Sequence, residues 1–587
     1  MEKQITDILR NLMACASVTN TEKEIAAETW MLDFFRKQSY FQTYPERCGL
    51  FPIPGDPLRR NAVWALVKCD EADIEEHDGK APENGVTAAG DKNTALTAVQ
   101  APTVVFMGHH DVVPADVYGD AAPWAFDLDN ITAHLNRETL STEAYTDLLS
   151  GEWLFGRGCC DMLGGTAVQM ALLAEQAEKV LQKTDKSKKT QNIKNVLAEK
   201  PVKTLCPGLD EAVVDDGDEE EVYGPGKADT CGALLFLSVP DEESFSVGMR
   251  GSLSLLEGLE EQFNLDYRLA ICAEPNQRLA DGKTQVVYSG SIGKLLPVVL
   301  VQGKLVQVGS YRKGVNPLGI LSRVVAATEG DETFTERYGA EVSVPPVWMY
   351  VRDLKEGYDF SLPKRAAGYC NVLTFQKTPA QVMAYFLGKI KGVLEEVSHP
   401  ITLITWVTLW QQAKQHSGFD KFWQETEQKK RELLQEEHKT FPEVTLWLMQ
   451  RTLDFLNFDQ PAVVFGFAPP YYPAVRSEEM KDARFAVYKK ALSALQEVEI
   501  KTYFPGVSDC SYCGIPEGTQ NPVYQVNTPL WGNEFHFAVD ALARLQIPFF
   551  LFGPWGRDLH QAGERVNRYS LTEEYPAVLR KLLHCVW

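Results

Sequence analysis

At 587 residues with a net charge of −22, the chain exceeds one ordinary core, so at least two domains are expected. Its acidity disfavours nucleic acid and anionic membranes, which both select a basic surface. No apolar stretch is long enough to span a bilayer, Met1-Glu2-Lys3-Gln4-Ile5-Thr6-Asp7 opens a charged amphipathic helix rather than a signal peptide, and the 12 cysteines read as reduced thiols of a cytoplasmic protein.

In chain order, a helix is predicted over 25–38 and a strand over 62–67. Residues 69–100, rich in Asp, Glu, Ala, Gly and Asn, lack apolar periodicity and read as a solvated insertion. A strand over 103–107 follows. The turn Gly156-Arg157-Gly158-Cys159-Cys160-Asp161 then leads into a helix over 165–181. Residues 184–231 open lysine-rich and close acidic, a second solvated insertion; an electrostatic docking arm is the functional alternative. With strands over 233–239 and 267–273, the alternation predicts an α/β layer around a mainly parallel sheet. The middle differs. Strands over 295–301 and 371–375 alternate with helices over 316–327 and 379–397, the pattern of a small α+β domain. Helices over 421–441 and 443–458 and a strand over 462–467 complete it. After a helix over 477–496 the α/β pattern returns, and a strand over 548–552 is expected to rejoin the first sheet. The expected organisation is a domain in two parts, 1–290 and 474–587, interrupted by an inserted α+β domain over 291–473.

Four of the apolar runs end in a histidine or a carboxylate: Gly108-His109-His110-Asp111, Pro240-Asp241-Glu242-Glu243, Glu274-Pro275, and Gly553-Pro554 leading to His560. In open α/β sheets ligands bind outside the carboxyl ends of the strands, and His, Glu and Asp gathered there suit a metal site. His109 and Asp111 share a face of an extended segment, so Asp111 can hold the far ring nitrogen of a metal-bound His109. Spacing alone does not separate His109 from His110. Asp161 lies on a glycine-flanked turn, and a carboxylate can bridge two cations ~3.5–4 Å apart. Glu242 and Glu243 repel unless cations or protons intervene; one can ligate while the other takes a proton. Glu274 and His560 would complete the coordination.

This ordered set, with Val112-Val113-Pro114, Met162 and Glu564, resembles the M20 family of zinc peptidases and amidohydrolases. Within it the chain is most similar to an arginine-utilisation protein, on Ser17-Val18-Thr19-Asn20-Thr21-Glu22, Gly248-Met249-Arg250-Gly251, Asn371-Val372-Leu373-Thr374, Pro469-Pro470-Tyr471-Tyr472-Pro473, Val507-Ser508-Asp509-Cys510-Ser511-Tyr512 and Pro554-Trp555-Gly556-Arg557-Asp558-Leu559-His560. The resemblance implies a zinc-peptidase-like catalytic domain whose inserted domain is a lid and a surface for a homodimer. It implies two divalent ions, Zn2+ foremost, with Co2+ or Mn2+ as alternatives. His109 and Glu274 would bind one, Glu243 and His560 the other, and Asp161 both; Glu242 would be the general base, and Asp111 would orient His109. The implied activity is hydrolysis of an amide or peptide bond in a small arginine-related molecule or short peptide.

Two departures stand out. Gln307, in Gly303-Lys304-Leu305-Val306-Gln307, occupies the place of a lid histidine, and Leu163 that of a lysine. Gln307 can donate to an oxyanion but carries no charge. Asn316 matches a lid motif and either touches substrate or caps a helix. Gln307 also motivates a rival reading, a non-catalytic metal-stabilised binding or regulatory protein. A third reading is a thiol oxidoreductase using Cys510 and Cys513, whose C-x-x-C spacing stands without a second such pair.

Overall fold

A computed structural model describes residues 1–69, 100–198, 232–435, 439–480, 484–516, 522–532 and 534–587, side chains excepted for 185–198. Both polar insertions therefore fall largely outside the described residues. The first part of the chain contributes strands β1 (Cys48–Pro52), β2 (Asn61–Val67), β3 (Ala101–His109), β4 (Ala233–Val239), β5 (Leu265–Cys272) and β6 (Gln285–Tyr288). The middle contributes β7 (Gly293–Gln302), β8 (Val347–Asp353), β9 (Arg365–Thr374), β10 (Thr402–Thr405) and β11 (Ala462–Tyr472). The last part adds β12 (Val498–Lys501) and β13 (Phe549–Leu551).

The larger sheet runs β1-β2-β4-β3-β5-β13-β6-β12. Its centre, β4-β3-β5-β13, is parallel. Such strands are apolar throughout because both faces are covered. Along β3, Val105 and Met107 face helix α4 (Val247–Phe263), whereas Val104 and Phe106 face the core formed with α1 (Glu2–Ala14), α2 (Glu24–Arg36), α3 (Leu163–Ala198) and α9 (Tyr575–Val586). As expected, the late strand rejoins the first sheet: Phe549 pairs with Ala270.

The inserted unit is a five-stranded, mainly antiparallel sheet, β8-β9-β7-β11-β10. Successive β7 residues alternate between faces. Leu295, Val299 and Val301 pack towards α5 (Pro317–Thr328) and α6 (Pro379–Glu395), and Leu296, Val298 and Leu300 towards α7 (Trp406–Gln415) and α8 (Phe441–Phe455). The chain leaves the larger sheet at Gly290–Ser291 and returns at Val475–Arg476, and these two segments pair with each other.

Three boundaries differ from expectation. The predicted helix over 421–441 is Phe419–Leu434, and a new helix starts at Phe441. Its Pro442 lies in the first turn, where proline lacks no needed donor, and Thr440 and Glu443 cap it reciprocally. The predicted helix over 477–496 is the shorter Phe485–Leu495. The helix predicted over 165–181 continues as α3 to Ala198, into the lysine-rich tract. Among the described residues no helix is long and apolar enough to cross a membrane. Among the described residues nine cysteines are free, whereas Cys69 is disulfide-bonded, against the expectation that all are reduced.

Candidate metal centre

His109 is the last residue of β3, and Glu242, Glu243 and Glu274 follow the ends of β4 and β5, so three neighbouring parallel strands deliver their polar ends to one place. Asp161 and His560 arrive through a small three-stranded sheet. Trp153–Phe155 pairs with Arg565–Asn567, which pairs with Gly556–Arg557, setting the turn before Asp161 against the segment carrying His560 and Glu564.

The expected residues converge. His109 Nε2 lies 3.4 Å from Asp161 Oδ1 and 3.9 Å from Glu242 Oε2. His560 Nε2 lies 3.2 Å from Asp161 Oδ2 and 3.0 Å from Glu243 Oε1. Asp161 thus presents one oxygen to each histidine. Ligand-type atoms of His109, Glu242 and Glu274 lie within 4.8 Å of one another, as do those of His109, Asp161 and Glu243. The first trio includes Glu242, to which the sequence reading gives proton transfer.

His109 and His110 point in opposite directions, as neighbours on a strand must. His110 Nδ1 is 3.1 Å from Ser238 Oγ, and its Nε2 is 3.8 Å from Glu28. His109 is the one turned to the carboxylates. Its Nδ1 is held by the Asp111 backbone carbonyl at 2.8 Å, with the Asp111 carboxylate 3.5 Å away. The two Asp111 oxygens instead accept the amides of Glu242 and Glu243, each at 3.1 Å. Asp111 therefore orients the histidine mainly through its main chain and fixes the two glutamates through its side chain.

Crowded burial sets the protonation. Burial pushes Glu242 well up, and Glu274 and Glu243 add to this against the opposing His109. Burial and then Asp161 raise Glu274. Burial disfavours the Asp161 carboxylate, but the adjacent His109 and His560 more than offset it and hold Asp161 low. His109 is raised despite burial by Asp111 and Asp161. His109 Nε2 is buried without a hydrogen-bond partner among the described residues. A histidine nitrogen aimed at carboxylate oxygens, in a set of two histidines and several acids, fits divalent cations.

Three positioning groups carried no role in the sequence reading. Glu564 accepts the amides of Gly158, Cys160 and Asp161 at 2.8, 3.3 and 3.2 Å, and it pairs with Arg157, which also donates to the His560 carbonyl. Arg60 joins Glu24, Asp56 and Asp241 at 2.7, 2.8 and 3.0 Å in a buried network, and Glu24 accepts the Asp241 amide. The network steadies Asp241 at φ 69°, just before the glutamate pair. The sequence signal for it is Asp241 itself, a third acid at a buried strand end. On the inserted unit, Gln307 is exposed, and the Asn316 side chain accepts the Leu318 amide as an N-cap. Cys510 and Cys513 are buried, and burial pushes the Cys510 thiol well up, the opposite of an activated thiolate.

No family model matches the chain. Two Bacillus subtilis proteins align along nearly its whole length, each 24% identical. The uncharacterized protein YqjN covers 98% of this chain and 95% of its own length, and RocB covers 99% and 94%. The likeness to an arginine-utilisation protein, expected from the motifs, is thus the likeness to RocB. Among solved structures, an M20 family metallo-carboxypeptidase, Sso-CP2 of Sulfolobus solfataricus, aligns over 100% of both chains with a TM-score of 0.49 and 9% identity.

Proposed function

We propose that the chain is a metal-dependent hydrolase of the M20 type, cleaving an amide or peptide bond in a small arginine-related molecule or short peptide. The observation that carries the reading is the convergence of His109, Asp161, Glu242, Glu243, Glu274 and His560 around a buried, unpartnered His109 Nε2. The likeness to RocB supports the arginine-related substrate.

In this reading His109, Asp161, Glu243, Glu274 and His560 hold two divalent ions, Zn2+ foremost, with Asp161 shared. Such ions, when bound, polarise the scissile carbonyl and make hydroxide available near neutral pH. Glu242, whose proton affinity is raised, accepts a proton from the attacking water and delivers it to the leaving nitrogen, a contribution of ~10²–10⁴-fold. Asp111 keeps His109 and both glutamate backbones in register for that transfer. The unit bounded by 291–473 serves as a lid between catalytic segments 1–290 and 474–587. Gln307, exposed on it, is offered to the substrate oxyanion; Asn316 contributes less, since its oxygen is already engaged. The nine cysteines that are free among the described residues favour a reducing compartment, the cytoplasm, although Cys69 is disulfide-bonded.

The test is metal analysis of the purified protein joined to a hydrolysis screen over N-acyl-arginines and arginine dipeptides, with Glu242→Ala alongside. The expected result is a pair of bound ions in both proteins and turnover in the parent alone. Full activity in Glu242→Ala removes the mechanism. Metal-dependent binding of an arginine derivative without cleavage favours the binding or regulatory protein instead.

A further inference from the structure

Asp509 begins a 3₁₀ turn, Asp509–Tyr512, packed against α4 and against Gly290–Ser291, where the chain passes between the two sheets. Its neighbours are engaged. Ser508 Oγ accepts the Cys510 amide at 3.3 Å, Ser511 Oγ meets Ser291 Oγ at 2.9 Å, and the Tyr512 hydroxyl donates to the Tyr471 carbonyl at 2.7 Å. Asp509 is different. It is 1% exposed, and among the described residues neither carboxylate oxygen has a hydrogen-bond partner. Burial raises its proton affinity to about 7 against the opposing His109 and the nearby Ser246 hydroxyl, whose own hydrogen bond runs to Tyr472 Oη at 3.4 Å. The Asp509 turn packs against α4, the helix that follows the Glu242–Glu243 pair, and the Asp509 charge raises the proton affinity of both Glu242 and Glu274, so the carboxylate borders the metal centre.

A buried polar group left unsatisfied is costly, and a charged one more so. Asp509 lies beside a site already crowded with acids. If Asp111, Asp161, Glu242, Glu243, Glu274 and Asp509 are ionised, two divalent ions leave two negative charges uncompensated. The missing partner is therefore a positively charged donor that arrives from outside. We propose that Asp509 is the specificity-determining residue of this site, receiving a cationic nitrogen group of the substrate on its two free oxygens. A guanidinium matches two oxygens with two parallel N–H groups; an ammonium meets them with one nitrogen. The inference rests on the hydrolase reading for the identity of that ligand as a substrate.

Calorimetric titration of the full-length, Zn2+-loaded protein tests it, with arginine against its uncharged isostere citrulline and lysine against norleucine. The parent is expected to bind at least one charged member about 30-fold more tightly than its neutral counterpart, the scale of a charge-assisted hydrogen bond. Asp509→Asn is expected to cut that preference to about 3-fold or less, with citrulline binding and zinc content unchanged. Asp509→Glu, which keeps the charge, is expected to retain the preference and covers the case in which the asparagine variant does not fold. Equal binding of charged and neutral members by the parent overturns the proposal, as does a preference that survives Asp509→Asn or is lost in a folded Asp509→Glu. The arginine and lysine arms separate guanidinium from ammonium. Charge preference without cleavage of any arginine amide would sink the hydrolase reading while leaving Asp509 its role.

Discussion

Asp161 is held from behind. Glu564 gathers three amides of the Asp161 turn, and its partner Arg157 reaches the His560 carbonyl, so one buried ion pair fixes both the shared carboxylate and the distant histidine. Glu564→Gln keeps the shape but leaves the Arg157 charge buried without a counter-ion, a loss of about 3–5 kcal/mol. Partners behind metal ligands typically account for about 10–100-fold in affinity. The variant should unfold at lower denaturant and bind Zn2+ more weakly by about that factor in chelator competition; unchanged affinity would remove Asp161 from the ligand set. The same charges give the metal-free protein a signed pH response. Hydrogen bonds to Asp161 and then Glu243 raise His560 to about 10, and burial followed by the Asp161 charge raises Glu274. Both groups hold protons that the unfolded chain releases, so each makes stability fall as pH rises: His560 from 6.5 to about 10, Glu274 from 4.5 upwards. Divalent ions compete with those protons. Between about pH 6 and 8, the stabilisation that Zn2+ gives in thermal unfolding should therefore grow. A constant or shrinking increment would count against metal binding at these groups.

Close approach between elements explains why two glycines stand beside the centre. A Cβ at Gly165, near the start of α3, would meet the Ala273 carbonyl at 2.5 Å, and one at Gly553, just after β13, would meet the carbonyls of Ala273 and Glu274 at 2.4 Å. The backbone bearing Glu274 is gripped from both sides. Gly553→Ala must displace it, and the expected outcome is a fall in Zn2+ affinity larger than any fall in the unfolding midpoint; normal affinity would show that this grip does not set the ligand. The Arg60 network acts on the neighbouring loop. Arg60→Met strands Glu24, Asp56 and Asp241 in the interior and should cost about 3–5 kcal/mol in equilibrium unfolding. A change below 1 kcal/mol, the scale of an exposed pair, would mean that the network relaxes freely. These elements also show what sequence can reveal. β3, β4 and β5 are legible because two-sided burial makes them apolar runs, and their polar ends expose His109, Glu242, Glu243 and Glu274 directly. The roles of Arg60 and Glu564 are illegible because Glu24, Asp241 and the Asp161 turn, which they hold, lie far along the chain, and no local period marks them. Pro442 misleads because proline both follows and begins helices; the Thr440–Glu443 cap decides between them.

At the scale of the molecule, the inserted unit carries apolar surface that its own fold leaves open. Its edge strand β8 exposes Val347, Met349 and Val351 at 39, 59 and 40%, and charge enters only at its end, at Arg352 and Asp353. Around Gln307, the segment joined to it through the Gln307–Ser361 bridge exposes Leu305, Val308, Tyr311, Tyr358 and Phe360 as well. An unpaired strand with an alternating apolar face is a template for an antiparallel copy of itself, because a two-fold axis presents the same patch to both partners. A homodimer through β8 would give the inserted unit its second role in the resemblance, alongside that of a lid. In sedimentation velocity the parent should therefore run as a dimer at micromolar concentration. Met349→Lys, which places a charge at the middle of the strand, should shift it to monomer without lowering the unfolding midpoint of the monomer. If activity also falls in that variant while its zinc content holds, the exposed rim around Gln307 completes the partner's site. If activity is unchanged, each chain works alone. A parent that is monomeric at every concentration removes the dimer and leaves the apolar edge without an occupant.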